Sequence, residues 1–350
     1  MILADDEGFQ NRADSYSRLL PGTDDRMLTK VLKSGQPFDD WTRWVPADAK
    51  SFSMNTGATL HPLYEWLTEF VPTVIPEAKE KFAEFETIQE QIGVHLDRDI
   101  LQAFSGESVS VALPPAVPSP MASQDSVQFL RCSKPERIRE LLGMAVDHLK
   151  ELPPMRTQNL AMVPSSELDG FDEISAVTLA MFNVKPLIGF RDGWMIIGTN
   201  AAAIQKVFST QQQEAASFAT SDRFKEFDLD IEGPVVQANY VNTAQQTREI
   251  AQAMGQLGLI LPGVLAMAGA DQDSDEAKIV GEVLGLLPSI GRIISKCDFL
   301  ESKMCVTQTA EEKGAFYKRV VVLVREPKPK EEPAEESVKA AADDATVEAL

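Results

Sequence analysis

The sequence predicts an α+β fold with a mostly antiparallel sheet and packed helices, and three observations carry that expectation. Asp192-Gly193 lies between two apolar runs, Leu187–Arg191 and Trp194–Gly198, and both turn residues tolerate the positive φ of a two-residue hairpin. Val109, Val111 and Leu113 alternate with Ser108, Ser110 and Ala112, the period-two pattern of a half-buried strand. Other apolar residues recur every three or four positions, yet the helices they mark do not alternate regularly with strands as a doubly wound parallel sheet requires.

Taken in order, residues 1–44 read as a helical lead-in. Thr23 is placed to cap a helix with Met27, Leu28, Val31 and Leu32 on one face, Gly35 ends it, and Trp41 and Trp44 pin the segment to the body. A short strand is expected at Ser51–Asn55. Leu60, Leu63, Tyr64, Leu67, Phe70 and Val71 then share a helical face. Pro76 suits the first turn of a second helix carrying Phe82, Phe85, Ile88 and Ile92 and stopped by Gly93. Asp97 is expected to cap a short helix closed by Gly106. After the 109–113 strand, the prolines of 114–120 make a loop, and Val127–Arg131 is a strand. Ser133 and Glu136 form a capping-box pattern with Pro135 between them, opening a helix whose inward stripe is Ile138, Leu141, Leu142, Ala145, Leu149 and Leu152. Strands follow at 158–163 and 174–182, then the Asp192-Gly193 hairpin, and Asn200 caps a helix ending near Phe208. The last section reads as strand 235–241, helices 244–261 and 275–296, strand 299–308, a turn at Lys313-Gly314 and strand 316–325.

Asn55-Thr56 and Asn242-Thr243 each end one strand and open one helix. At that offset of 187 Leu63, Leu67 and Phe70 fall on Ile250, Met254 and Leu257, and with the offset drifting to about 195 Val111 falls on Val306. This order predicts two internally duplicated halves. The expected organisation is a lead-in at 1–44, a first α+β half at 45–215, a second half at 216–325 packed on the first, and a tail at 326–350. The tail holds eight acids, three bases, three prolines and no aromatic residue, too little apolar surface to offset its ordering entropy, so it reads as disordered.

Charge narrows the function. The 350 residues carry 53 acids against 33 bases, a net charge of −20. Nucleic acid as a partner needs a basic footprint, and anionic lipid needs a polybasic face; neither fits. Only three histidines are present, His61, His95 and His148, none with a second His or Cys at ligand spacing, which argues against zinc. Neither Gly-x-Ser-x-Gly nor a P-loop nor a dinucleotide fingerprint occurs, so the chain reads as a non-enzyme with no cofactor. The sharpest metal-like string is Asp271, Asp273 and Asp275 with Glu282, at the first, third, fifth and twelfth positions of a calcium loop. Glu276 replaces the glycine of the loop's sharp turn, and the same acids suit the positive end of the helix that begins there. Asp97 and Asp99 are the candidate carboxylate pair for acid–base work, although two residues apart they do not face each other.

Met254–Ala270 and Ile279–Ile294 are nearly free of charge, yet each holds a central proline, Pro262 or Pro288, and is too short for a membrane-spanning segment, so helices 244–261 and 275–296 are apolar around most of their circumference and must be buried. They are expected to pack against the sheet, or to enclose an apolar ligand between themselves and it. Cys297 and Cys305 sit at the two ends of one strand segment, and either could reach Cys132 if the fold brings them together.

Several blocks together resemble a bacterial family of exported proteins known only as a domain of unknown function. They are Val45–Ser53, Gly93–Leu101 running on to Gly106–Leu113, Lys185–Gly198, and Ser221–Phe227. The resemblance spans roughly 45–325 and rests on packing and turn residues. It implies an α+β fold in an extracytoplasmic setting, periplasm or cell envelope, and supplies no catalytic residue. Two features depart from it: Met1–Glu7 shows no signal-peptide pattern, which would otherwise place the protein in the cytoplasm, and Ser105-Gly106 stands where relatives often have a glycine pair. The expected function is therefore a non-catalytic cell-envelope protein that binds or scaffolds, its partner a protein or an apolar ligand. The alternatives are a carrier with a lipid between helices 244–261 and 275–296 and the sheet, and a hydrolase using Asp97 or Asp99.

Overall fold

The computed structural model describes residues 2–5, 8–19, 22, 26, 37–38, 41–57, 59–116, 124–153, 155–181, 184–229, 234–267, 275–296, 299–309 and 315–324; the side chains of 2–5, 8–9, 256–267, 275–280 and 282–283 lie outside that description. The strands are β1 (Ile2–Asp5), β2 (Gly8–Arg18), β3 (Ser51–Asn55), β4 (Phe104–Leu113), β5 (Asp125–Cys132), β6 (Ala161–Pro164), β7 (Phe171–Ser175), β8 (Leu187–Arg191), β9 (Trp194–Gly198), β10 (Val235–Val241), β11 (Leu300–Thr309) and β12 (Ala315–Val324). They form one sheet in the order β1-β2-β12-β11-β10-β3-β4-β5-β9-β8-β7-β6. Every neighbouring pair is antiparallel, so the α+β expectation holds.

The helices are α1 (His61–Val74), α2 (Ala78–Ile92), α3 (Pro135–Glu151), α4 (Val177–Met181), α5 (Ala201–Gln211), α6 (Asp222–Lys225), α7 (Thr243–Met267) and α8 (Asp275–Ser295). One sheet face carries the main core. Phe52, Met54, Val109, Val111, Phe129, Ile196, Tyr240 and Met304 are buried there beneath α5, a 3-10 turn at Trp41–Trp44 and the segment holding Phe218 and Phe227. A smaller core on the other face sets Ile138 of α3 against Ile188 and Met195. Burying these side chains, at roughly 25 cal/mol per Å2 of apolar surface, is the main term that holds the layers together.

The sheet is built around a central pair. β3 lies against β10 with Phe52 opposite Tyr240 and Met54 opposite Ala238. On one side runs β3-α1-α2-β4-β5, on the other β10-α7-α8-β11-β12, the same order of elements. Phe52 pairs with Val111 on the first side and Ala238 with Val306 on the second.

Several expectations are corrected. Residues 2–5 and 8–18 are strands where a helical lead-in was expected, because the backbone of β12 pairs with β2 from Phe9 to Arg18 and tertiary pairing overrides weak local preference. The helix expected around Met27 to Leu32, the Lys313-Gly314 turn and the 326–350 tail lie outside the described residues. Asn55 opens no helix: its carboxamide accepts the Gly57 N–H at 3.0 Å, and α1 begins only at His61. Asn242 does cap, accepting the Gln245 N–H at 3.0 Å.

Gly106 closes no helix either. It sits in β4 with φ 92°, and a Cβ on Gly57 would stand 2.4 Å from its carbonyl carbon. Ser133 forms no capping box, since its hydroxyl donates to the carbonyls of Gln102 and Ala103. The strand expected at 174–182 stops at Ser175 and gives way to α4, and α7 runs past Pro262 to Met267. In α3 Val146 is buried while Leu149 and Leu152 are exposed. No helix among the described residues is long and apolar enough to cross a membrane.

Candidate functional site

The Asp192-Gly193 turn builds the site. Asp192 adopts φ 52° and Gly193 φ 77°, the two positive angles of a tight hairpin, and the turn sets Arg191 opposite Trp194. The neighbouring strand β5 then places Arg131 beside Trp194. Trp44 reaches the same spot from the 3-10 turn, Phe129 from β5, and Phe208 with Gln211 and Gln212 from the last turn of α5. Apart from Arg131, which stands behind Trp194, these residues line an open depression of about 330 Å3.

Its floor is aromatic. Trp44 stands edge-on to Trp194 at 5.0 Å and to Phe129 at 5.1 Å, and Phe129 meets Phe208 at 6.3 Å. Such edge-to-face contacts add about 0.5–1.5 kcal/mol each beyond area burial and hold the rings rigid. Its rim is cationic. The guanidinium of Arg191 lies 4.8 Å from the Phe208 centroid and that of Arg131 lies 5.3 Å from the Trp194 ring, while Arg131 Nη1 donates to the Asp192 carbonyl at 3.0 Å. Arg43 lines the third side, and Asp192 is the one carboxylate among the described lining residues. It stands 3.6 Å from Arg191 Nε with both side chains solvated, a pair worth at most about 1 kcal/mol.

The candidates read from the sequence lie elsewhere. Asp97 and Asp99 occupy a π turn, Leu96–Ile100, each with separate partners. Asp97 caps nothing; its two oxygens meet His61 Nδ1 at 2.5 Å and the Gln102 amide at 3.0 Å. His61 Nε2 also approaches Glu65 at 3.4 Å. Asp99 is buried and accepts the His95 N–H at 2.8 Å, Arg137 Nη2 at 3.2 Å and Arg98 Nε at 3.3 Å. The backbone hydrogen bond, aided by the two guanidiniums and opposed by burial, holds its carboxyl well below the usual range. These contacts tie the base of the α1–α2 hairpin to α3. His148 is exposed on α3.

Of the calcium string, Asp271 and Asp273 lie outside the described residues, as do the side chains of Asp275 and Glu282. No cluster of three or more potential metal ligands occurs among the described residues. Cys132 and Cys305 are free and buried, burial pushing both thiols up, and Cys297 lies outside the described residues. α7 packs on α8 and β11, but many of the side chains that would line a cavity there are outside the description.

The residues of the depression were not singled out by their chemistry. In the sequence Trp44 reads as a packing residue and Trp194 as a hairpin residue, while Arg131, Arg191 and Phe208 mark only the ends of elements. The one local signal was the Arg-Asp-Gly-Trp string, which puts a cation and an indole on facing strands. No protein-family model, curated protein or solved structure matches the chain.

Proposed function

We propose that the protein is a non-catalytic binding protein of the cell envelope whose site is the aromatic depression at the Asp192-Gly193 turn. The ligand has a flat apolar body and an anionic group. What supports this reading is the gathering of Arg43, Arg131 and Arg191 around an aromatic floor in a chain of net charge −20. The bulk field of such a chain repels anions, so local guanidiniums must supply the attraction, and their planar forks suit carboxylate, sulfonate or phosphate. A cationic ligand is disfavoured because the rings of Trp194 and Phe208 already carry the chain's own guanidiniums. The envelope setting is supported by the resemblance of residues 45–325; recovery of the native protein in the cytosolic fraction would contradict it.

Matched probes test the site. Naphthalene-2-sulfonate and 2-naphthol share one ring system and differ in charge. The sulfonate is expected to bind about tenfold more tightly, roughly 1.4 kcal/mol, and Arg191→Gln to erase most of the difference. Equal binding of both probes, read by saturation-transfer NMR, refutes the proposal.

We further propose that the two halves descend from one duplicated strand–helix–helix–strand–strand unit. The recurrence of that order on either side of the β3–β10 pair supports it.

A further inference from the structure

A second open cavity, of about 310 Å3, lies where β2 and β3 end, and its chemistry differs from that of the aromatic depression. Lys318 stands opposite Thr307, Thr307 opposite Gln237, and Gln237 opposite Asn55. Four polar side chains thus form one row across β12, β11, β10 and β3. Side chains alternate along a strand, and Ala238 and Val306 belong to the main core, so the row points to the opposite face. Phe316, two residues before Lys318, shares that face, and Arg18 lines the cavity from the end of β2.

The lining is built to donate. The Asn55 carboxamide oxygen accepts the Gly57 N–H at 3.0 Å, and Gln237 Oε1 accepts the Thr307 hydroxyl at 3.4 Å, so the NH2 group of each amide is what it offers a ligand. Lys318 and Arg18 add charged donors, and no carboxylate stands among the described lining residues. The Thr56 N–H donates to the Val236 carbonyl at 2.9 Å, which fixes the β3 wall against β10 before any ligand arrives. Phe316 is half-buried and, among the described residues, stacks on no other ring. We propose that this cavity binds an acidic sugar, a hydroxylated saturated ring that carries a carboxylate. The C–H face of the ring lies on Phe316, its oxygens accept from the Asn55 and Gln237 amides, and its carboxylate meets Lys318 and Arg18. A flat aromatic anion, the ligand class of the depression, would leave the amide donors without acceptors, and a neutral sugar would forgo the charged contacts. The row covers three strand spacings, ~14 Å, which accommodates more than one linked ring.

Trigalacturonate and its fully methyl-esterified form share one skeleton and differ in charge, so the pair tests this on the full-length chain by saturation-transfer NMR. The net charge of −20 repels anions, and any preference for the charged form must come from local cations. The acid is expected to bind about tenfold more tightly than the ester. Lys318→Gln, at an exposed position that keeps the fold, should erase most of that difference. Gln237→Ala should weaken both forms about threefold, the worth of one hydrogen bond, with the fold checked by circular dichroism. Arg191→Gln in the aromatic depression should change neither, and naphthalene-2-sulfonate should not displace the sugar, so the two sites are read separately. Equal binding of acid and ester overturns the proposal, as does a preference that survives Lys318→Gln. So does loss of sugar binding in Arg191→Gln, which would place the sugar in the depression instead.

Discussion

Asp99 shows how one buried carboxylate can serve structure where chemistry was expected of it. It accepts the His95 N–H and two guanidinium contacts, and these hold its carboxyl well below the usual carboxylate range. A depressed native pKa contributes stability that is present above the unfolded value and lost as pH falls toward the native one. Asp99→Asn is therefore expected to cost about 2 kcal/mol at pH 7, the worth of hydrogen bonds to a charged acceptor. The gap between variant and wild type should narrow below about pH 4, where the unfolded chain's Asp99 takes up a proton while the native carboxylate stays ionised. Urea midpoints at pH 7 and pH 3 measure both; an equal gap at the two pH values contradicts the assignment. Asp99 was visible in the sequence as an acid, but its burial depends on Arg137 from α3, a contact that spacing does not encode.

At the scale of elements, what the sequence revealed were features decided within a few residues. Gly93 ends α2 in the left-handed conformation, Asn200 caps α5 through the Ala203 N–H at 2.9 Å, and Asp192-Gly193 turns the hairpin. What stayed hidden depended on distant partners. β2 shows little alternation and becomes a strand because β12 pairs with it, and the aromatic depression gathers residues from four separate segments. α5 joins the two levels, since its cap also anchors it: the Asn200 side-chain amide donates to Asp125 Oδ1 at 2.7 Å. Asn200→Ala is expected to cost about 1–2 kcal/mol in stability and to weaken naphthalene-2-sulfonate binding, because α5 carries Phe208. Asn200→Asp keeps the cap but faces Asp125 with like charge, so it should not restore stability; full recovery in a thermal melt counts against this account.

For the molecule as a whole, the two strand–helix–helix–strand–strand runs, one from β3 to β5 and the other from β10 to β12, share one sheet. Their seam is the β3–β10 pair, and it carries the densest aromatic packing in the main core. Tyr240 of β10 is stacked at 5.8 Å from Phe52 of β3, and Phe218 touches both, at 4.4 Å from Tyr240 and 5.4 Å from Phe52. A seam that is itself core leaves no boundary along which one half can open alone. Amides of β4–β5 and of β11–β12 should then exchange with the same free energy of opening in native-state hydrogen exchange. The α1–α2 hairpin, nearly without buried residues, should open at lower cost. Tyr240→Ala removes a fully buried ring at the seam, with an expected loss of about 3–5 kcal/mol by analogy with other aromatic truncations, and both groups of strands should lose protection by the same amount. If β11–β12 lose protection while β4–β5 keep theirs, the halves are separate folding units, and the shared sheet joins two domains instead of defining one.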